Sequence, residues 1–407
     1  MQTEMAAYIK APTLALYDYC ESRNWAGIDP YDALNSRLFE ALHFLDRRIP
    51  RLILTQLMKR SVLNIRPLLL VPHAQNPKAL GLFLMSALRL SKLGLLKGVN
   101  PATAIIRNLE SLRSQNSKYW CWGYSFPWQT RTLLVPRWEP NLVCTTFIAD
   151  ALLDAYEQTG ESKYLEMASS SARFILDELY WTGEKSVAGF AYPLPSMRNN
   201  VHNGNLLGAA LFCRVAKLSG ETLFIEPALR VARYSASKQH DDGSWKYGEA
   251  PNQQWIDNFH TGYNLCALRA IGNTLGTGEF EEQVRRGFEF YRAHFFREDG
   301  AARYFHNQTY PVDIHCVAQS VITLLALKDL DPGNVSLAHS VLRWALKRMW
   351  DKEGFFYYRV LRFGTIQTSY MRWSQAWMLL AMSALLSESE GETVPPTIHS
   401  TAAAVPS

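Results

Sequence analysis

Apolar residues recur every three to four positions over much of this 407-residue chain, as expected for helices with one buried face. Five of these stretches are rich in Ala and Leu, and several end at a Gly. They alternate with stretches that carry more charge opposite the apolar stripe. The pattern predicts buried inner helices alternating with amphipathic outer ones, the inner ones being VCTTFIADALLDAYEQTG, NGNLLGAALFCRVAKLSG, GYNLCALRAIGNTLG, CVAQSVITLLALKDL and SQAWMLLAMSALLSE.

The inner segments repeat at a nearly constant interval. Alignment by their starts places Cys144, His202, His260, His315 and Trp373 in equivalent positions. The spacing of this register, about 57 residues, holds two helices and two loops. A further inner helix (KALGLFLMSALRL) and outer helix (ATAIIRNLESLRSQ) precede the repeat. We therefore predict an all-α (α/α)6 toroid of about six helical hairpins, with short strands only in aromatic loops such as GFFYYRVLRFG.

The domain organisation follows from the same pattern. Residues 76–390 are predicted to form the toroid core, and residues 1–75 a basic helical region that completes it. Residues 391–407 (GETVPPTIHSTAAAVPS) lack apolar periodicity and are predicted to be a disordered tail. With 48% hydrophobic and 19% charged residues, the rest of the chain has the composition of a well-buried globular protein.

Positive charge is concentrated near the N-terminus. Residues 37–66 hold seven Lys or Arg against Glu40 and Asp46, which equals the net charge of +5 of the whole chain. The basic residues alternate with Leu, Ile and Val in IPRLILTQLMKRSVLNIRPLLLVP. This segment is interpreted first as helices packed on the core with solvated arginines, and alternatively as a surface for an anionic membrane or an acidic polymer. No nucleic-acid partner is predicted.

The six cysteines show no CxxC spacing, and Cys213 and Cys266 fall inside apolar helical runs, so all are predicted to be reduced. The N-terminal segment MQTEMAAYIKAPTLALYDYC lacks the basic and apolar regions of a signal peptide. No segment offers about 18 consecutive uncharged apolar residues. The expected location is the cytoplasm, with peripheral contact at the inner membrane face left open.

Inner helices of a toroid run parallel, so their starts line one mouth of the ring. His202, His260 and His315 occupy this register, and Tyr370, Arg372 and Trp373 lie at the last start. The loops that lead to these starts carry acids and rings. A pyranose presents C–H faces that pack on aromatic planes and hydroxyls that need polar partners, so the mouth is predicted to bind a sugar.

Acid–base chemistry on a sugar requires carboxylates, histidines or tyrosines beside the reacting carbon. Each candidate also has a structural interpretation as a helix cap or a brace between repeats, Asp257 above all as an N-cap. The candidate catalytic residues are Glu249, Asp257, His260, Asp313, His315 and Tyr370. The candidate substrate-binding residues are Trp122, Trp128, His202, Trp245, Tyr247, Trp255, Tyr263, Arg372 and Trp373.

No metal or cofactor is predicted. Neighbouring inner-helix starts in such a ring lie about 10 Å apart, which is too far for the three histidines to share one ion readily. The sequence contains no GxxxxGK[ST], GxSxG or HExxH motif, and no GxGxxG behind a strand. Nucleotide-binding, α/β-hydrolase and zinc-protease functions therefore find no support.

The pattern HxGxxLxxAL and the segment SYMRWSQAWMLLAMSALL resemble the C-terminal helical domain of glucuronyl C5-epimerases and six-hairpin hydrolases and lyases. The chain as a whole resembles helical proteins encoded in bacterial exopolysaccharide and capsule biosynthesis clusters. These resemblances imply a protein that acts on a polysaccharide or its lipid-linked precursor. Tyr370 and Arg372 match the C5-epimerases in kind and place, whereas the β-rich N-terminal part of that family is missing here.

Two reaction branches follow. In epimerisation or elimination, Tyr370, His260 or His315 removes the proton next to a carboxylate that Arg372 neutralises. In hydrolysis, Glu249 and either Asp257 or Asp313 serve as acid and base. A non-catalytic glycan-binding or scaffold subunit is one alternative function. An isoprenoid-handling toroid is another, because QHDDGSW fits the QxxxGxW signature of terpene cyclases once, although their DxDD motif is absent.

Overall fold

The chain is largely helical in the computed structural model, which describes residues 2–96, 101–130 and 132–391. The α-helices within these ranges are α1 (Gln2–Glu21), α2 (Arg37–Ala41), α3 (Arg48–Arg60), α4 (Pro77–Lys92), α5 (Pro101–Ser111), α6 (Leu142–Thr159), α7 (Ser162–Phe174), α8 (His202–Ser219), α9 (Ile225–Ala236), α10 (Asn258–Leu275), α11 (Glu281–His294), α12 (Ile314–Ala326), α13 (Asn334–Arg348) and α14 (Trp377–Ser389).

Six inner helices form a closed ring. Helices α4, α6, α8, α10, α12 and α14 each contact the next, and α14 returns to contact α4. The outer helices α5, α7, α9, α11 and α13 pack on the inner helices that precede them, while α1 packs on α14. The sixth hairpin therefore joins the two ends of the chain. The predicted all-α toroid is confirmed.

The starts of the inner helices are held by polar side chains. Asn141, Asp257 and Asp313 precede α6, α10 and α12, and each accepts a hydrogen bond from a backbone N–H in the first turn. Such caps satisfy donors that the helix itself cannot satisfy. At the opposite ends, Gly160 and Gly220 adopt left-handed φ values of 74° and 78°, which glycine tolerates best.

The strands are short and belong to the loops. β1 (Ala26–Gly27) pairs with β2 (Ala74–Gln75), β3 (Trp128–Gln129) with β4 (Leu134–Val135), and β5 (Tyr180–Thr182) with β6 (Ala188–Phe190). β7 (Val312–Asp313), β8 (Arg359–Val360) and β9 (Thr365–Ile366) form a three-stranded antiparallel sheet that places Asp313 opposite Arg359. The strand predicted within GFFYYRVLRFG is β8. A π-helical segment, Met371–Ala376, leads into α14.

One hydrophobic core runs through the ring and includes Ile9 and Leu16 of α1. Ala33, Met58 and Val71 form a separate small cluster beneath α3. Helix α3 also contacts β3, so the basic segment lies beside the mouth of the ring. The N-terminal region thus contributes α1 as an outer helix of the toroid. It also contributes a small unit around Ala33, Met58 and Val71, which we call the satellite, at the mouth of the ring.

All six cysteines are buried and free. None of the described helices is long and apolar enough to cross a bilayer. The tail predicted from residue 391 lies, apart from Gly391, outside the described residues.

Candidate active site

A cleft of about 340 Å3 lies at the mouth of the ring, where the inner helices begin. Twelve of its nineteen lining residues are Tyr, Trp or Phe, and the described lining contains lysine, arginine and histidine but no aspartate or glutamate. The cleft is thus aromatic, and its ionisable lining residues are basic. Its residues are Tyr31, Lys59, Lys78, Tyr124, Phe126, Trp128, Val143, Tyr192, Asn203, Tyr247, Trp255, Phe259, His260, Tyr263, Tyr304, Phe305, His315, Arg372 and Trp373.

His260, in the first turn of α10, is oriented by the residue that caps the helix. Asp257 Oδ1 accepts the backbone N–H of His260 at 3.0 Å, and Oδ2 lies 2.7 Å from His260 Nδ1. Trp255 Nε1 donates to the same Oδ2 at 2.8 Å. Because a carboxylate only accepts, Nδ1 carries a hydrogen, and the neutral form of the ring keeps its lone pair on Nε2. The Asp257 side chain is 1% exposed against 18% for His260, so the histidine faces the cleft.

His315, at the start of α12, is held in an aromatic cage. Its Nε2 lies 2.7 Å from the hydroxyl of Tyr263, and the rings of Phe259 and Trp377 stack on it at 4.6 Å. Burial lowers the pKa of His315 well below its usual value, and the positive charge of Lys78 acts in the same direction. His315 is therefore a neutral imidazole that is hydrogen-bonded to the Tyr263 hydroxyl.

Lys78 opens helix α4 and lines the same cleft although it is only 4% exposed. Its Nζ lies 4.2 Å from the ring centroid of Phe147 and 5.3 Å from that of Trp377. Burial lowers the pKa of Lys78 well below its usual value, and Arg372 lowers it further. The sequence prediction missed this residue. Its signal was a lysine in the first turn of an inner helix whose next ten residues carry no charge.

Arg372 reaches the cleft from the segment before α14 and already has a carboxylate partner. Its Nε and Nη2 donate to the two oxygens of Asp29 at 2.7 and 2.8 Å, and both side chains are almost fully buried. Tyr370 does not line the cleft; its hydroxyl accepts from Arg66 Nη1 at 2.8 Å. Burial raises the pKa of Tyr370 to about 12. These contacts tie the N-terminal satellite to the last inner helix.

No protein-family model and no curated protein matches the chain. Among solved structures, it is similar to the GH76 α-mannanase of Bacteroides thetaiotaomicron (14% identity, TM-score 0.58, covering 77% of this chain and 86% of the other). It is also similar to a sugar epimerase from a ruminal bacterium (13%, 0.58, 80% and 91%) and to the cellobiose 2-epimerase of Spirochaeta thermophila (15%, 0.54, 76% and 86%).

These solved structures share the (α/α)6 toroid fold of this chain. Identities this low establish the fold alone and assign no chemistry to the cleft.

The structure brings eight of the fifteen candidate residues into the cleft lining and leaves seven outside it. The eight are Trp128, Tyr247, Trp255, His260, Tyr263, His315, Arg372 and Trp373. Asp257 and Asp313 lie directly behind the lining. Asp313 is fully buried, where it caps α12, pairs with Arg359 and accepts from Trp373 Nε1 at 2.9 Å.

Glu249 lies on the outer side of its loop. It accepts from Asn200 Nδ2 at 2.9 Å and from the hydroxyl of Tyr234 at 2.9 Å, and it pairs with Lys238 at 3.2 Å. Burial opposes ionisation, but these three donors outweigh it and lower the pKa of Glu249. Glu249 is thus a surface ion-pair residue in this structure.

Trp122, Trp245 and His202 are buried away from the lining. The indole N–H groups of Trp122 and Trp245 donate to the carbonyls of Leu109 and Ser235 at 2.8 and 3.1 Å, so both rings brace neighbouring segments. His202 is 3% exposed. Within the described residues, no group of three His, Cys, Asp or Glu side chains is arranged to hold a metal.

The burial of His202 predicts a pH effect on stability. Burial lowers the pKa of His202 to about 4 from 6.5, so between these values the unfolded chain binds more protons than the folded one. Stability that is present above pH 6.5 is therefore lost as the pH falls towards 4, by up to about 3 kcal/mol. Urea unfolding at pH 7 and pH 4.5 should show a smaller decrease in His202→Gln than in the wild type. An equal decrease in both would contradict the assignment.

Proposed function

We propose that this protein is a sugar-modifying enzyme that transfers protons at a carbon next to the carboxylate of an acidic sugar. The observation that carries the proposal is the Asp257–His260 pair. It presents one basic nitrogen to an aromatic cleft that has two lysines, an arginine and, in its described lining, no carboxylate. A carboxylate that orients a histidine through Nδ1 and leaves Nε2 for the substrate is a recurrent base in enzymes.

The shape of the cleft supports a sugar. Its rings provide flat apolar surfaces for C–H faces, and His260, Asn203 and Tyr263 provide polar partners for hydroxyls. A volume of about 340 Å3 is at the small end for ligand pockets, which suits one or two sugar rings at the end of a chain. We infer that the substrate is the terminal part of an exopolysaccharide chain or a lipid-linked oligosaccharide. The solved structures named as sugar epimerases and a mannanase support a carbohydrate substrate in the wider sense.

Charge favours an acidic sugar. Lys59, Lys78 and Arg372 converge on the cleft, and Asp29 offsets only Arg372. A uronate carboxylate would supply the missing negative charge, since buried cations are stable only when they are paired. Its binding would also favour the charged form of Lys78, whose pKa is lowered by burial.

Geometry disfavours the hydrolytic branch. Glycoside hydrolysis commonly uses two carboxyl groups that flank the bond, about 5 to 10 Å apart. Asp257 and Asp313 are committed to caps and to His260, Trp255, Arg359 and Trp373, and Glu249 lies outside the cleft.

The proposed step uses two proton-carrying pairs. His260 Nε2 accepts the proton as the C–H bond next to the carboxylate breaks, and the electron pair moves onto the carboxylate as an enediolate. The ammonium of Lys78 stabilises the added negative charge. A proton then returns to the same carbon, with the hydroxyl of Tyr263, bonded to His315, as the candidate donor. Exchange with solvent restores both groups.

The alternative functions find less support. A glycan-binding subunit would not need a histidine held at 2.7 Å by a buried carboxylate. An isoprenoid site would not have two lysines and an arginine in its wall. Within QHDDGSW, Gln239 donates to the carbonyls of Gly243 and Gln283, and Trp245 is buried, so this motif braces two hairpins.

Product analysis tests the proposal. Oligosaccharides with a terminal uronic acid are incubated with the wild type, His260→Gln and Glu249→Gln, and NMR detects inverted C5 centres, new unsaturation and new reducing ends. We expect C5 inversion by the wild type and Glu249→Gln but not by His260→Gln. New reducing ends that depend on Glu249 would instead establish hydrolysis.

Lys78 should determine the preference for acidic sugars. Replacing Lys78 with Met keeps the length of the side chain and removes the charge, so KM for a uronic acid substrate should rise at least tenfold. The corresponding neutral sugar lacks the carboxylate and cannot react, so its binding is measured as a competitive inhibition constant, which should change little. Lys78→Arg should restore part of the preference. Equal effects of Lys78→Met on the two sugars would show that Lys78 has only a packing role.

A further inference from the structure

The satellite at the mouth of the ring exposes an unusual amount of apolar surface. Fourteen large apolar side chains are exposed in the described residues, and nine of them lie between residues 38 and 70. We call these nine side chains the apolar patch. They include Phe44, Ile49, Ile53, Leu57, Leu63 and Leu68, each more than half exposed. Concentration of this kind marks an interaction surface, whereas single exposed apolar residues do not.

Helix α3 shows how the patch is built. Ile49, Ile53 and Leu57 are spaced four residues apart and are 69%, 62% and 56% exposed, so they form one stripe along the helix. Thr55 and Met58 on the opposite face are buried, and Met58 belongs to the small cluster with Ala33 and Val71. The helix therefore contacts the protein with one face and presents Ile and Leu to the solvent with the other.

The same segment is strongly basic. Residues 37–66 carry seven Lys or Arg and two acidic residues. Both acids are already paired, Asp46 with Arg51 and Glu40 with Arg137. Arg47, Arg48 and Arg60 are exposed at the two ends of α3. An apolar stripe flanked by arginines is complementary to a bilayer surface that offers acyl chains beneath anionic headgroups.

The patch adjoins the cleft. Lys59, in the last turn of α3, lines the cleft and donates to the hydroxyl of Tyr31 at 2.6 Å, while Leu57 faces solvent. A bilayer bound to α3 would therefore lie beside the mouth of the ring.

We propose that residues 38–70 dock this protein peripherally on an anionic membrane surface, with Ile49, Ile53 and Leu57 inserted among the lipids. The proposal goes beyond the sugar chemistry and stands without it, because it depends only on the exposure and charge of the satellite.

Vesicle sedimentation tests the proposal with the full chain. The wild type should bind vesicles of phosphatidylcholine and phosphatidylglycerol, mixed in a seven-to-three ratio, at least tenfold more tightly than vesicles of pure phosphatidylcholine. Ile53→Glu should weaken binding to the anionic vesicles about tenfold. Leu223→Glu is the matched control, because Leu223 is also exposed (38%) but lies between α8 and α9, at the end of the ring opposite the mouth. Leu223→Glu should bind the anionic vesicles as tightly as the wild type does. Circular dichroism should show that both variants are folded.

Three outcomes would overturn the proposal. The wild type would fail to bind anionic vesicles, or Ile53→Glu and Leu223→Glu would weaken binding equally. In the third outcome, gel filtration would show a concentration-dependent dimer that Ile53→Glu abolishes, while vesicle binding of this variant would equal that of the wild type. This result would assign the apolar patch to contact with a second copy of the chain.

Discussion

Replacing His260 with Gln should lower the rate of sugar turnover about 10³-fold, because it removes the group that accepts the proton. The fold should be retained, since the backbone N–H of residue 260 still donates to Asp257 and the Gln amide can replace the Nδ1 contact. The measurement is kcat/KM on an acidic oligosaccharide, together with the melting temperature of each variant.

His202→Gln is the matched control for this experiment. His202 occupies the equivalent position at the start of α8 but is buried outside the cleft lining. Its replacement should leave kcat/KM within about threefold of the wild type at neutral pH. Similar losses of activity in both variants would show that the histidines act through the structure of the ring rather than through chemistry.

Replacing Asp29 with Asn should lower the free energy of unfolding by about 3 to 5 kcal/mol, because it leaves Arg372 buried without its counter-charge. The pair also joins the N-terminal satellite to the segment before α14, so the variant should lose activity by displacing Arg372. Urea unfolding measures the change. Glu40→Gln breaks the exposed pair with Arg137 and should cost less than about 1 kcal/mol. An equally small change in Asp29→Asn would contradict the proposed role of the buried pair.

The ring could be predicted because its signal is local. Short stretches of the sequence show the helical periodicity, the repeated starts of the inner helices and caps such as Asp257. Of the residues in this register, His260, His315 and Arg372 line the cleft, whereas His202 and Tyr370 do not. The helices and their starts are specified by spacing along the sequence. Because each repeat adds one hairpin to the ring, residues at equivalent positions of the repeat lie at the same end of the ring.

The partners of the site were harder to predict because they come from distant parts of the chain. Asp29 meets Arg372 across 343 residues, and nothing in the local pattern links them. Glu249 was expected in the cleft, but Gly248 and Glu249 run against Asn200 so closely that a Cβ on Gly248 would lie 2.7 Å from the Asn200 carbonyl oxygen. This contact directs Glu249 to Tyr234 and Lys238. Loop direction of this kind follows from tertiary packing and not from composition.

Proton transfer at a single sugar carbon is the central claim, and solvent isotope exchange tests it most directly. A terminal uronic acid substrate is incubated with the wild type in D2O and followed by proton NMR and mass spectrometry. We predict loss of the C5 proton signal with a gain of one deuterium, and no exchange with His260→Gln. Substrate that is converted without deuterium at C5, or exchange that persists in His260→Gln, would contradict the proposed role of the Asp257–His260 pair.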